Sequence, residues 1–162
     1  MTSFISPHDS VIDLAEHAPG DLVGLVPELV AWNSGHGQQR PCLWQVVVEH
    51  VDSPGWGRGP SAWLDVGTAG SGGALRWVSP EGGFVPVASR PQGDDCLRDG
   101  WIRYASDHSG YPCRVHRSLL APLPVVWSAL ADLVRTRARP ELPAPWRWEP
   151  VEDWSALVRE PA

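Results

Sequence analysis

The chain has 162 residues and a mass of 17.7 kDa, which predicts a single domain (1–162) with a core that needs neither disulfide nor metal. Hydrophobic residues make up 43% and charged residues 20%, which excludes a disordered chain, and no apolar run reaches the roughly 18 residues of a membrane-spanning helix. The formal charge is −6 and unevenly placed, since residues 1–110 hold 13 acids and 6 Arg while 111–162 hold 6 acids and 7 Arg; the negative front part disfavours direct contact with nucleic acid or an anionic membrane and favours a basic partner.

The opening stretch, MTSFISPHDSVIDLAEH, has no basic start, apolar block or cleavage site, so a cytoplasmic protein is expected. Ser10-x-x-Asp13 ahead of Val11, Leu14, Ala15 and Ala18 predicts a short helix stopped by Pro19-Gly20. Leu22, Leu25, Val26, Leu29 and Val30 then form a helical stripe. Pro27 lies inside it, so the helix should either kink or begin near Pro27. Residues 1–40 therefore read as a helical part, ending in a loop from Asn33 to Pro41.

From Leu43 the period becomes two. Trp44, Val46 and Val48 alternate with Gln45, Val47 and Glu49 as a strand with one strongly apolar face. Asp52 to Pro60 (DSPGWGRGP) reads as a loop, Ala62–Val66 as a strand, and Thr68 to Gly73 as a turn into Ala74–Ser79. Pro80-Glu81-Gly82-Gly83 predicts a hairpin turn into Phe84–Ser89, and Pro86 confines that strand to an edge or a bulge. After the polar segment Arg90 to Gly100, Trp101–Ala105 alternates again, so that 42–106 is the sheet region.

The region 123–149 holds a helix and a last strand. Leu123, Trp127, Leu130 and Val134 mark an apolar helical stripe ended by Pro140; Arg135, Arg137 and Arg139 crowd its C-terminus, where the helix dipole favours cations. Trp146-Arg147-Trp148-Glu149 alternates as a strand. The order predicts an α+β fold: an antiparallel sheet of about five to six short strands, with N-terminal helices and one long C-terminal helix packed on it.

The sequence carries no nucleophile elbow, no phosphate-binding loop followed by Lys, and no zinc-hydrolase or deaminase signature. Cys42, Cys96 and Cys113 are odd in number and form no C-x-x-C pair, so reduced thiols are expected. Cys96, His108, Cys113 and His116 match no common paired-ligand spacing, so neither metal nor cofactor is expected. The expectation is a protein without catalytic activity.

Two features are candidates for binding. Trp44, Trp77, Trp127 and Trp148 lie on apolar faces and suit a core, whereas Trp56 sits in Gly55-Trp56-Gly57-Arg58. It is either an interface or ligand-stacking residue or one that folds back over the sheet. Asp94, Asp95 and Asp99, with Glu81 on the preceding turn and Asp107 on the following loop, could line one rim of the sheet, either as a solvated loop or as an acidic patch that meets a basic surface.

The stretch from Gly73-Ala74-Leu75-Arg76-Trp77 to Gly82-Gly83-Phe84, then Tyr111-Pro112, the Pro-started segment from Leu120 to Pro140 and Trp146-Arg147-Trp148-Glu149 resembles immunity protein family one of bacterial polymorphic toxin systems. The likeness spans roughly residues 60–150. It implies a protein that binds a cognate toxin domain, often a nucleic-acid deaminase or nuclease, and occludes its active site. Such a toxin presents a basic cleft, and Trp56, Glu81, Asp94, Asp95 and Asp99 are the expected toxin-binding residues. The alternative is a small-ligand or carbohydrate-binding module that uses exposed Trp as stacking platforms. Indole exposure separates the two.

Overall fold

The apolar alternation that begins near Leu43 becomes the centre of a mixed sheet in the computed structural model, which describes residues 11–17, 20, 24–37, 42–55, 57–69, 72–88, 101–104, 113–116 and 120–151. The strands are β1 (Val11–Asp13), β2 (Cys42–Ser53), β3 (Gly57–Ala69), β4 (Gly72–Ser79), β5 (Gly82–Ala88), β6 (Trp101–Tyr104), β7 (Cys113–His116), β8 (Leu120–Pro122) and β9 (Trp146–Val151). The helices are α1 (Leu25–Trp32) and α2 (Leu123–Thr136). Seven of these strands form one sheet in the order β1-β2-β3-β4-β5-β9, with β8 paired to β4, while β6 and β7 form a separate antiparallel pair. All pairings are antiparallel except β1 with β2, which is parallel.

That parallel pair corrects the helix expected over residues 10–18. Val11–Asp13 is extended beside Gln45–Val47, and only Leu14–Glu16 coils, as a single 3-10 turn. An isolated helix this short is marginal in water, whereas the extended chain gains a ladder and still buries Ile12 and Leu14. Asp13 caps the turn by accepting the Ala15 N–H at 2.9 Å. The N-terminal part thus contributes a strand as well as α1. Helix α1 begins at Leu25, leaving Pro27 in the first turn, where its missing N–H has no intrahelical partner to lose. Asn33–Gly37, expected as loop, prolongs it as a π-helical turn.

Alternation on β2–β4 turns Trp44, Val46, Leu64, Val66, Leu75 and Trp77 to one face, where they share a buried core with Leu25 and Leu29 of α1 and with Val126, Ala129, Leu130 and Leu133 of α2. Each such Leu or Val removed from water contributes about 1.5–3 kcal/mol. The buried stripe of α2 is turned by about one position from the expected one: Trp127 and Val134 are half-buried at its margin. Helix α2 approaches β4 closely at Gly73. A methyl group there would stand 2.6 Å from the Gly67 carbonyl oxygen and 2.8 Å from a Val126 methyl, so only hydrogen fits. On the opposite face Asp65 and Arg76 sit in register across β3 and β4 and pair at 2.7 Å, with Asp65 buried.

Two connections differ from expectation. The predicted loop over Asp52–Pro60 is instead the end of a hairpin, since β2 runs to Ser53 and β3 starts at Gly57. Gly55 and Gly57, at φ 81° and 75°, supply the left-handed backbone that lets the chain reverse so tightly. The predicted turn over Thr68–Gly73 shortens because the β3–β4 ladder continues to Ala69 and Gly72. Strand β5 lies between β4 and β9, but β4 pairs only with Gly82–Phe84, so Pro86 occupies a stretch bonded on its β9 side alone. The expected restriction on Pro86 holds locally although its strand is internal.

Candidate functional site

Two consequences of the sheet's stagger define the region. Among the described residues, neither strand has another neighbour beyond Val47 on β2 and before Trp63 on β3: β1 reaches only Val47, and β4 begins its pairing at Trp63. The remaining residues pair only with each other and project as a two-stranded arm. Val51 on it is 50% exposed, and Asp52, Ser53, Pro54, Gly55, Gly57 and Arg58 are exposed as well. The β2–β3 register is disturbed between Val47 and His50, at the base of the arm.

Beside that base the sheet and the end of α2 enclose a cleft of about 470 Å³. Its apolar part is Val48, Ala62 and Trp77; Glu49 stands on β2, Ser79 ends β4, Pro80 and Glu81 form the β4–β5 turn, and Arg137, Ala138 and Arg139 follow α2. Arg137 ends the helix in the left-handed region at φ 55°, with its N–H bonded to the Leu133 carbonyl at 2.8 Å. The same residue's Nη1 donates to the Leu14 carbonyl at 2.7 Å, and the two bonds fix a backbone conformation that costs a non-glycine residue about 1 kcal/mol. Arg139 lies over the Phe84 ring, 4.9 Å from its centre. The carboxylates of Glu49 and Glu81 have no hydrogen-bond or ion-pair partner among the described residues, and both side chains are exposed.

The segment carrying the two guanidiniums is anchored further along. Asp132 accepts the Glu141 N–H at 2.9 Å and pairs with Arg135. The Glu141 N–H, and then the Arg135 guanidinium, hold the Asp132 carboxyl below the usual aspartate range against the opposing effect of burial. Trp148 Nε1 donates to the Pro140 carbonyl at 2.7 Å.

A second pocket, of about 250 Å³, is lined by Asp13, Ala15, Glu16, His50 and Arg58. His50 Nε2 meets Asp13 Oδ2 at 2.5 Å, and the other ring nitrogen is buried without a partner. A His–carboxylate pair is half of a nucleophilic relay, but this lining supplies no hydroxyl or thiol, and the remaining imidazole nitrogen is closed to solvent. The pair instead ties β1 to the base of the arm.

Of the expected contact residues, Glu81 is exposed on the cleft rim. Trp56, Asp94, Asp95 and Asp99 lie outside the described residues, as do Asp107, Cys96 and His108; Cys113 and His116 belong to β7, of which only the backbone is described. Among the described residues no group of His, Cys, Asp and Glu could hold a metal ion. No described helix is long and apolar enough to cross a membrane. Glu49, Arg137 and Arg139 were not among the expected site residues. Glu49 was an ordinary strand position, and the arginines had a sufficient local explanation at the helix end. Compared with protein-family models, curated proteins and solved structures, the chain matches none of them.

Proposed function

We propose that this chain is a non-catalytic inhibitor of the immunity type, which acts in the cytoplasm, without a cofactor, by covering the basic active-site surface of a toxin domain. Its α+β scaffold serves as a rigid platform, with helices on one face of a mainly antiparallel sheet and the arm and cleft at one end. The observation that carries the reading is the pair of exposed carboxylates, Glu49 and Glu81, without partners among the described residues, beside an arm that presents Val51 to solvent. An apolar contact flanked by free negative charge is complementary to a nucleic-acid-binding surface, and such charge speeds encounter and fixes orientation. Trp56, Asp94, Asp95 and Asp99, which lie outside the described residues, are proposed as further contacts on the sequence alone. A nuclease or nucleic-acid deaminase is the partner class with the required basic cleft.

Every Trp whose side chain is described (Trp32, Trp44, Trp63, Trp77, Trp127, Trp146 and Trp148) is buried or half-buried. That disposition favours a binding scaffold over a carbohydrate module built on exposed stacking platforms. The test is a pull-down of the purified protein with the toxin domain encoded beside it, followed by the toxin's activity at increasing inhibitor. Loss of activity at one-to-one stoichiometry is expected; no complex, or a complex that leaves activity intact, would refute the reading. Glu49→Arg combined with Glu81→Arg should weaken the complex by about tenfold or more, mainly in on-rate and less so at high salt.

A further inference from the structure

We infer that the cleft beside the arm is a binding site for a basic residue that carries a free carboxylate, namely the C-terminal arginine or lysine of a peptide. The inference does not depend on the partner being a toxin domain. The two layers bring opposite charges to one space: the sheet side contributes Glu49 and Glu81, and the turn after α2 contributes Arg137 and Arg139. Had these groups neutralised one another, the cleft would be a structural ion-pair cluster. They do not; both carboxylates are without partners among the described residues, Arg137 spends one Nη1 bond on the Leu14 carbonyl, and Arg139 rests on Phe84.

A cleft with free charge of both signs over an apolar floor selects a ligand that has both signs joined by an apolar stem. A terminal arginine satisfies each element. Its guanidinium suits the carboxylates, its methylenes suit Val48, Ala62 and Trp77, and its carboxylate suits the planar donor forks of Arg137 and Arg139. Arg137 is already held in place by its backbone cap and its bond to Leu14, so less freedom is lost when it engages a ligand. A cleft of about 470 Å³ falls within the usual range of small-ligand sites, about 300–1,000 Å³. A free amino acid would bring its ammonium group beside the two guanidiniums, so an acylated residue, as at the end of a peptide, is the better ligand.

The test is an NMR titration of the intact protein, following the Trp77 indole N–H signal, with N-acetyl-L-arginine, its amide, N-acetyl-L-norleucine and free L-arginine. N-acetyl-L-arginine should bind saturably with a millimolar dissociation constant, and deleting either charge, in the amide or the norleucine derivative, should weaken binding about fivefold. Glu49→Gln with Glu81→Gln should abolish the preference over norleucine, and Arg139→Gln should reduce the preference over the amide, with melting temperatures unchanged. Equal binding of the three acylated probes, absence of binding, or preferences that survive in these variants would overturn the site. Tighter binding of free L-arginine would overturn the peptide terminus as its ligand.

Discussion

Strands β2 and β3 are one ladder with two different fates. From Gln45 to Val47 and from Trp63 to Val66 they lie mid-sheet, with neighbours on both sides and, on one face, the residues of α1 and α2. From Glu49 to Arg58 no other described strand pairs with them, and they are held by cross-strand bonds, by the His50–Asp13 pair at the base and by two glycines in the turn. In the first region position is decided by packing, and each side chain is constrained from several directions. In the second, beyond the His50–Asp13 pair at its base, the ladder is the main constraint among the described residues. The difference teaches where stability and recognition reside: the same pair of strands supplies the core at one end and a projecting surface at the other.

The sharpest way to probe the packed end is Gly73→Ala. The added methyl would meet the Gly67 carbonyl and Val126, both in the interior, so a loss of about 2–3 kcal/mol is expected by denaturant titration. A neutral result would mean that α2 does not rest on β4 as closely as described. A smaller effect is expected from Asp132→Asn, at the edge of the packed region. Because the native carboxyl is held below the ordinary aspartate value of 3.8, its contribution is present above that value and is lost as pH falls through the lower, native one. The variant should therefore lose stability near neutral pH and show a flatter acid limb, read from melting temperatures across pH 2–6. The smallest effect is expected on the arm. Val51→Ser should change stability by no more than about 0.5 kcal/mol while weakening any partner complex; a large loss of stability would show that the arm is packed rather than projecting.

Much of this architecture was legible from periodicity. Strands β2, β4 and β9 alternate visibly, and α2 repeats at helical spacing, because each buries one face against the same core. What escaped reading depends on partners distant in sequence. Val11–Asp13 has the composition of a helix start and becomes a strand only because Gln45–Val47 is there to receive it. Strand β8, three residues ending in Pro122, is too short to alternate. The arm was hidden by its own composition: Gly and Pro at Asp52–Pro60 signal a break, yet a hairpin needs such residues only at its tip and tolerates Pro60 where the strand has no outer neighbour among the described residues. The cleft was half legible. Glu81 announced itself as a charged turn residue, but its counterparts Arg137 and Arg139 come from the far side of α2, and no spacing rule links them.

The bond from Arg137 to the Leu14 carbonyl joins residues separated by 123 positions. During synthesis at about 5–20 residues per second, the start of the chain must wait roughly 6–25 s before its counterpart exists. Strand β1 can meet β2 long before then, but the seam between the first described turn and the end of α2 closes late. The cleft uses that same arginine, so it becomes complete only when nearly all of the described chain has been made. A nascent or C-terminally shortened molecule would carry the arm without its counter-wall, and maturation of the binding surface would be timed by the emergence of α2 and the turn after it.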